Sequence, residues 1–535
     1  MRRTRYRFPS RRSPVLATHG MVATSQPLAA MAGLQMLQAG GTAADAAVAT
    51  AIALTVVEPM STGAGGDAFA LVRWANDGQV RALNGSGRAP AGANIPQLRE
   101  RGFGEMPVFS PFAVTVPGSV DAWYQLHQRY GALPWAELFA PAIRYAEEGF
   151  PVSPMVATNW NLSRSHLQTT EAKRVFLPGG RSPRAGETVR MPDLAGTYRR
   201  IAAEGPRAFY EGPIAQALAD SVQAEGGWLD VADLRAHHST WEEPISINYR
   251  GVTVFEHPPN GQGLVALLAL NLIQQLGLSG KDWGTPEATH LLIEAMKLAF
   301  ADGYRYIADP AMAKVPIAGL LSDTYAAERA RLISPERALS HAPAGLPAGS
   351  DTVYLSVVDG AGNAVSFINS LYYGFGAGIV GAGTGVCLQN RGSLFSLDEQ
   401  HPNALAPGKR PYHTIIPAMA CRDGRLWLSF GVMGGFMQPQ GHVQVITNLL
   451  DFGMSYQEAI DAPRWRVDWP DTLALEPGFP AGTRAGLARL GHRLARRSPA
   501  FSLFFGGGQI IALDDDGKTL WGASEPRKDG CAIGW

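Results

Sequence analysis

A threonine hydroxyl becomes a competent nucleophile when its own α-amine is free to act as base, and an internal threonine acquires that amine only if the chain is cut just before it. The tripeptide Ser-Asp-Thr occurs twice here, as Ser322-Asp323-Thr324 and as Ser350-Asp351-Thr352. The first copy runs into Tyr325, Ala326, Ala327 and Glu328, so Ser322 or Asp323 is predicted to cap a helix. The second ends the Ala/Pro/Gly-rich stretch 342–350, which has neither helix nor strand periodicity, and opens the β-type run 353–358. A cut between Asp351 and Thr352 would supply the amine, and the irregular stretch upstream would let the scissile carbonyl reach the Thr352 hydroxyl. Taken alone, the same pattern describes an ordinary loop followed by an ordinary strand threonine. Two downstream features favour chemistry. Gly434-Gly435, in "SFGVMGGFMQPQGH", lies between a strand pattern and a helix pattern, where successive backbone N–H groups can converge on one oxyanion; the plainer reading is a tight glycine turn. In "FINSLYYGFG", Ser370 and Tyr372 alternate along the strand expected to pair with that of Thr352, hence on one face, where plain polar decoration is the alternative.

Other chemistries find less support. There is no HExxH, His237-His238 lack carboxylate ligands nearby in sequence, and His290 with Glu294 lies on a mostly apolar helix, so no metal is expected. Gly376-Ala-Gly378-Ile-Val-Gly381 matches GxGxxG literally, but a turn and strand follow it instead of a phosphate-binding helix. "NGSGRAP" is out of register for a nucleophile elbow at Ser86. No cofactor is implied.

The elements that must position these residues read as a mixed α/β chain. "TSQPLAAMAGLQMLQAGG" predicts a helix with Ser25 as N-cap and Gly40-Gly41 as its stop, and "AADAAVATAIALTVVEP" predicts a buried Ala-rich helix too short to span a bilayer. "DAFALVRWANDGQVRALNG" predicts a hairpin about Asn76-Asp77-Gly78, the first part of a core sheet. Mainly helical patterns follow to about Gly280, interrupted by strand-like "SINYRGVTVFEHPPNGQG", and another helix, "PEATHLLIEAMKLAFADGYRYIAD", leads towards the 342–350 stretch, after which the texture becomes short strands and glycine turns.

With 535 residues the chain can bury a large core, and 46 basic residues balance 46 acidic ones, so nothing recommends a nucleic acid or a membrane surface as partner. A small molecule is the expected ligand. Three scattered cysteines suggest neither a disulfide framework nor a redox pair, and the basic N-terminal arm lacks an apolar signal core, so a cytoplasmic location is expected.

Beyond these local readings, nearly the whole chain resembles the γ-glutamyltranspeptidase family of N-terminal-nucleophile (Ntn) hydrolases. The likeness is carried by "GMVATSQPLAAMAGLQMLQAGGTAADAAVATAIALTVVEPMSTGAGGDAFALV", "VPGSVDAWYQLHQRYG", "EAMKLAFADGYRYIADP", "DTVYLSVVDGAGNAVSFINS", "KRPYHTIIPAM" and "GASEPR". The resemblance implies an α+β fold, a four-layer αββα sandwich, and autocatalytic cleavage between Asp351 and Thr352. The large subunit would be residues 1–351 and the small subunit 352–535, both from one precursor and together one catalytic unit, with a homodimer of that heterodimer left open. It also implies Thr352 as nucleophile, Ser370 as the hydroxyl bonded to it, and Gly434 and Gly435 as the oxyanion hole.

The acyl pocket departs from the family pattern. Where typical members hold the glutamyl α-carboxylate with an arginine in "REMAP", this chain has "GSGRAP", with Ser86 at that position and Arg88 displaced. Where they hold the α-amino group with an acid in "NNxMDDF", it has "QNRGSLF", with Arg391 and Leu394. The usual serine pair is His413-Thr414, and "SLDEQHPNALAPG" is too short for the covering lid. An ammonium buried without a counter-charge is costly, whereas Arg391 suits a carboxylate, so the expected substrate is the amide of a small acidic acyl group, as in divergent members that act on oxamate or glutaryl amides. Arg391, Tyr372, His413, Thr414 and Arg88 are the expected substrate-binding residues. Two other readings stand beside this one: a true γ-glutamyl hydrolase or transpeptidase acting on glutathione, and a non-processing carboxylate-binding protein using Arg391 and His413.

Overall fold

The computed structural model describes residues 7–10, 12–278, 280–339, 351–468, 472–496 and 502–535; the 342–350 stretch that precedes the expected cut lies outside them. Two seven-stranded antiparallel sheets form the centre. One runs, in spatial order, Cys531–Gly534, Gly20–Thr24, Asp351–Asp359, Ala364–Tyr372, Asp67–Arg73, Val80–Gly85 and Thr240–Glu242. The other runs Val15–Ala17, Leu520–Ser524, Gly507–Leu513, Arg425–Met433, Ala418–Arg422, Val252–Glu256 and Ile245–Tyr249.

Alternation along Asp351–Asp359 sets which way each side chain points. Val353, Leu355 and Val357 join the apolar cluster that contains the helix Ala43–Val57. Tyr354 turns the other way and packs with Phe69, Ile368, Ile415 and Met433 between the sheets, while Ser356 Oγ bonds Ser429 Oγ (2.6 Å) on the facing sheet. The outer face of the second sheet is covered by the helices Gly263–Gln275, Pro286–Tyr306 and Met437–Leu450. The result is the αββα sandwich expected, the packing of two half-apolar sheets and their helices into layers around shared cores. Each sheet draws strands from both sides of the Asp351-Thr352 junction, so the ladders and cores would hold the two parts together without that peptide bond.

The helix Ala43–Val57 is apolar all round and every residue is buried, as its composition predicts. Its start is fixed by a capping box between Thr42 and Asp45, and the Asp359 carboxylate accepts from Ala43 N (3.0 Å), tying the helix to the far end of the Thr352 strand. The preceding helix, Pro27–Gln38, is capped one residue later than expected: Gln26 accepts from Leu28 N and Ala29 N, because Ser25 is diverted to the buried Glu58 carboxylate. Ser322 caps Asp323–Ala330 through Tyr325 N (3.2 Å), which disposes of the first Ser-Asp-Thr as local helix chemistry. The strand Gly20–Thr24, placed before the hairpin in the same sheet, was not among the expected elements; it is buried on both faces and so lacks alternation. Among the described residues no helix is long and apolar enough to cross a membrane.

Candidate active site

Thr352 sits at an irregularity in the pairing of two central strands. Asp351 is opposite Tyr372 and Val353 opposite Asn369, so Thr352 faces Ser370 and Leu371 at a bulge, which re-aims its side chain. Thr352 Oγ1 lies 3.0 Å from Ser370 Oγ, and both residues are fully buried. Ser370 Oγ also accepts from Tyr372 N (2.9 Å) and from Arg391 Nη2 (3.0 Å). With two N–H donors already on it, the Ser370 oxygen is positioned to give its own proton onward.

Arg391 begins a short 3-10 turn, Arg391–Leu394, and is completely buried. Its guanidinium lies over the Tyr372 ring (4.4 Å to the centroid) and donates to Thr414 Oγ1 (2.6 Å) as well as to Ser370, while Nε has no partner. It forms no ion pair among the described residues. Burial pulls its pKa down to about 10 against the attraction of Asp67 and Tyr372. Its hydrogen bonds go to neutral hydroxyls only and Asp67 acts on it without an ion-pair contact, so much of the cost of burying this charge is left uncompensated. Leu394, at the position the family gives to an acid, lies in an apolar cluster with Tyr372 and Tyr412.

His413 and Asp67 form the floor beside Arg391. His413 Nε2 faces Asp67 Oδ2 (3.0 Å) and its Nδ1 accepts from Ile415 N (3.3 Å), an arrangement that assigns the proton to Nε2. Burial, with the charge of Arg391 and two other neighbours, holds His413 well below its usual pKa, so it is neutral. Asp67 Oδ1 collects Gln389 Nε2 (2.7 Å), Gly87 N (2.9 Å) and Gly118 N (3.1 Å). Even so its pKa is pushed up to about 6, because burial outweighs Arg391 and those bonds. The folded chain therefore holds this proton more tightly than the unfolded one. Asp67's contribution to stability is full below its ordinary value of 3.8 and is lost as pH rises through about 6, a change on the order of 3 kcal/mol. Asp67→Asn cannot titrate, so any margin in melting temperature of wild type over the variant should shrink between pH 4 and pH 6.5. A margin independent of pH would contradict this.

Gly434 and Gly435 connect the strand Arg425–Met433 to the helix Met437–Leu450. Both have positive φ (122° and 59°), and a Cβ on Gly434 would stand 3.0 Å from Gly506 Cα, so only glycine passes here. Neither amide donates to a described residue, and both lie at the positive end of a 14-residue helix. The turn is wired to the arginine side of the site: Gln262 Nε2 donates to Gly435 O (2.8 Å) and to Thr414 O (2.7 Å).

The structure thus brings together Thr352, Ser370, Tyr372, Arg391 and Thr414 in one bonded cluster, with His413, next to Thr414 in the chain, bonded to Asp67, and Gly434-Gly435 joined through Gln262. Arg88 stands apart, its guanidinium donating to the His238 carbonyl (3.3 Å), because Ser86 is drawn inward to Asn260 Nδ2 (3.0 Å). Asp67 and Gln262 are not among the residues expected from sequence; the only signal for Asp67 is an acid opening the apolar run 68–72 after Gly65-Gly66. His290 and Glu294 do gain a third potential ligand, His492, from two hundred residues downstream. Its ligand atoms are already engaged: His290 bonds His492 (2.8 Å) and Ser334 O (2.7 Å), and Glu294 Oε1 accepts from the Lys297 ammonium (2.7 Å).

A cephalosporin acylase from Bacillus halodurans has a solved structure that superposes with a TM-score of 0.92 at 47% identity, covering 99% of this chain and 98% of that one. The glutathione hydrolase-like YwrD proenzyme of Bacillus subtilis is 39% identical over 97% of this chain and 99% of its own length. The oxamate amidohydrolase proenzyme of Klebsiella pneumoniae is 37% identical over 97% and 99%. The gamma-glutamyltranspeptidase family model matches residues 29–535, and with these relatives spanning almost the full length, the chain belongs to the gamma-glutamyltranspeptidase family.

Proposed function

We propose that this chain is a proenzyme that cuts itself between Asp351 and Thr352 and then hydrolyses the amide of a small acidic acyl group. Proenzyme relatives with acylase and amidohydrolase names support the class of reaction. The observation that carries the substrate is the run of contacts from Thr352 Oγ1 to Ser370 Oγ to Arg391 Nη2, each 3.0 Å. It sets an unpaired buried cation two hydrogen bonds from the nucleophile. A carboxylate bound there lies only a few atoms from the scissile carbonyl, which suits a short dicarboxylic acid monoamide.

In maturation the Thr352 hydroxyl attacks the Asp351 carbonyl carbon, the peptide C–N bond breaks as the acyl group moves to oxygen, and water hydrolyses that ester. The products are residues 1–351 and a small subunit whose first residue is Thr352 with a free amine. In turnover that amine takes the hydroxyl proton as Oγ1 attacks the substrate carbonyl. The tetrahedral oxyanion is held by the Gly434 and Gly435 N–H groups. The proton passes to the departing amine, leaving an acyl ester on Thr352, and water activated by the same amine releases the acid. Ser370 orients the nucleophile, while Arg391, with Thr414, receives the acyl carboxylate. An added α-ammonium, as in a γ-glutamyl group, would meet Arg391 and apolar Leu394 instead of an acid.

The test is ammonia release from oxamate, succinamate and glutaramate beside neutral butyramide. Arg391→Ala should lower kcat/KM for the preferred acid amide by roughly 2–4 kcal/mol, about 30- to 1,000-fold, and lower butyramide turnover much less. Equal losses for acidic and neutral amides would remove Arg391 from carboxylate binding.

A further inference from the structure

The helix Met437–Leu450, which follows the Gly434-Gly435 turn, buries polar side chains at alternate positions, Gln438, Gln440, His442 and Gln444, and spends each of them on the main chain of another segment. Residues four apart share a helix face, so they form two pairs. On one side the Gln440 amide exchanges bonds with Val467 N (2.7 Å) and O (3.1 Å), and the Gln444 amide does the same with Trp465 N and O (3.0 Å each). On the other, Gln438 Oε1 accepts from Ile416 N (2.9 Å) and His442 Nε2 accepts from Val432 N (3.0 Å). Buried polar groups are costly without partners, and backbone partners of this kind hold the helix in one position.

His442 differs from the other three in what it joins. Val432 precedes the turn on the strand Arg425–Met433 and His442 follows it on the helix, so this one bond spans the turn. Pairing of that strand with Ala418–Arg422 stops at Phe430, so Val432 lies past the last pair on that edge, and an imidazole nitrogen takes its N–H. Gly441 lets the helix sit directly on the same residue: a Cβ there would stand 2.5 Å from Val432 Cγ1. Since Nε2 accepts, the ring proton is assigned to Nδ1, which donates to Glu256 Oε1 (2.7 Å). Both His442 and Glu256 are fully buried.

We propose that His442 is a positioning residue for the hydrolysis: with Glu256 fixing its tautomer, it clamps the strand and the helix on either side of Gly434-Gly435 and so aims those two N–H groups at the oxyanion. The inference rests on the proposed role of the turn and adds what holds it in place. A loosened turn loses stabilisation of the transition state while the acyl carboxylate still binds at Arg391, so kcat falls and KM does not.

The experiment removes the two ring nitrogens one at a time. Glutamine puts an acceptor oxygen where Nε2 stands and keeps the Val432 bond; asparagine is shorter, puts its amide where Nδ1 stands and keeps only the Glu256 bond. On fully cleaved protein, with the acid amide that releases ammonia fastest, His442→Asn should lower kcat about tenfold or more with KM changed by no more than about twofold, and His442→Gln should stay within about threefold of wild type. Gln444→Leu, which breaks equally buried bonds on the other side of the same helix, should lower the melting temperature and leave kcat within about twofold. Equal kcat in the asparagine and glutamine variants overturns the clamp, and so does a fall in Gln444→Leu as large as in His442→Asn. Should His442→Asn not fold, a tenfold fall in a folded His442→Gln overturns it alone. A wild type that hydrolyses none of the acid amides removes the proposed function instead, and unchanged kcat in Gly434→Ala removes the role of the turn, so the failures are told apart.

Discussion

Thr352→Ala is expected to leave the chain whole on a denaturing gel and to reduce amide hydrolysis to the uncatalysed background. One oxygen performs both steps: it displaces the Asp351 peptide bond and later accepts the acyl group. Alanine also lacks the 3.0 Å contact to Ser370, but the change is one buried side chain in a strand held on both sides, so the fold survives. Thr352→Ser keeps a hydroxyl and should still cut, more slowly. The contrast is Thr324→Ala in the other Ser-Asp-Thr, inside the first turn of the helix that Ser322 caps. That substitution should cut normally, work normally and change stability by about 1 kcal/mol or less. A Thr352→Ala protein that yields normal fragments would take the nucleophile away from Thr352.

Gly434→Ala should lower kcat about 10²-fold or more while the chain stays folded. The reason is geometric before it is electronic. At φ 122° a side chain is strained wherever it points, and here it would also stand 3.0 Å from Gly506 Cα. The backbone must rotate to relieve both, and rotation turns the Gly434 and Gly435 N–H groups away from the spot where the oxyanion forms. Removing one such donor costs about 3–4 kcal/mol where it has been measured in other hydrolases. A melting curve close to wild type with kcat unchanged would remove the turn from the mechanism.

What the sequence made legible follows the range of the interactions involved. The two Ser-Asp-Thr copies differ in their immediate neighbours, and those neighbours alone separate a helix cap from a strand entrance. The hairpin around Asn76-Asp77-Gly78 is likewise local. Ser370 is legible because strand alternation puts it on the face of Thr352, and Arg391 because an arginine replaces an amide at one position of a motif. Asp67, Gln262 and His492 act on partners about 150 to 350 residues away, and apart from the acid that Asp67 sets at the head of an apolar run no local pattern marks them. Ser25 shows the opposite failure: a good capping residue by type, it is taken by the buried Glu58, and Gln26 serves instead. Arg88 is expected in the pocket from its place in a motif, but Ser86 is tied to Asn260 by one hydrogen bond and the Arg88 guanidinium donates to the His238 carbonyl instead.

The most direct measurement is the N-terminal sequence of the smaller fragment after prolonged incubation of the purified chain. Self-cleavage before Thr352 should yield two fragments, the smaller reading Thr-Val-Tyr-Leu-Ser from Thr352 onward, with ammonia release from acid amides appearing in step with its formation. A chain that stays single while it releases ammonia, or a smaller fragment that begins at any other residue, would contradict it.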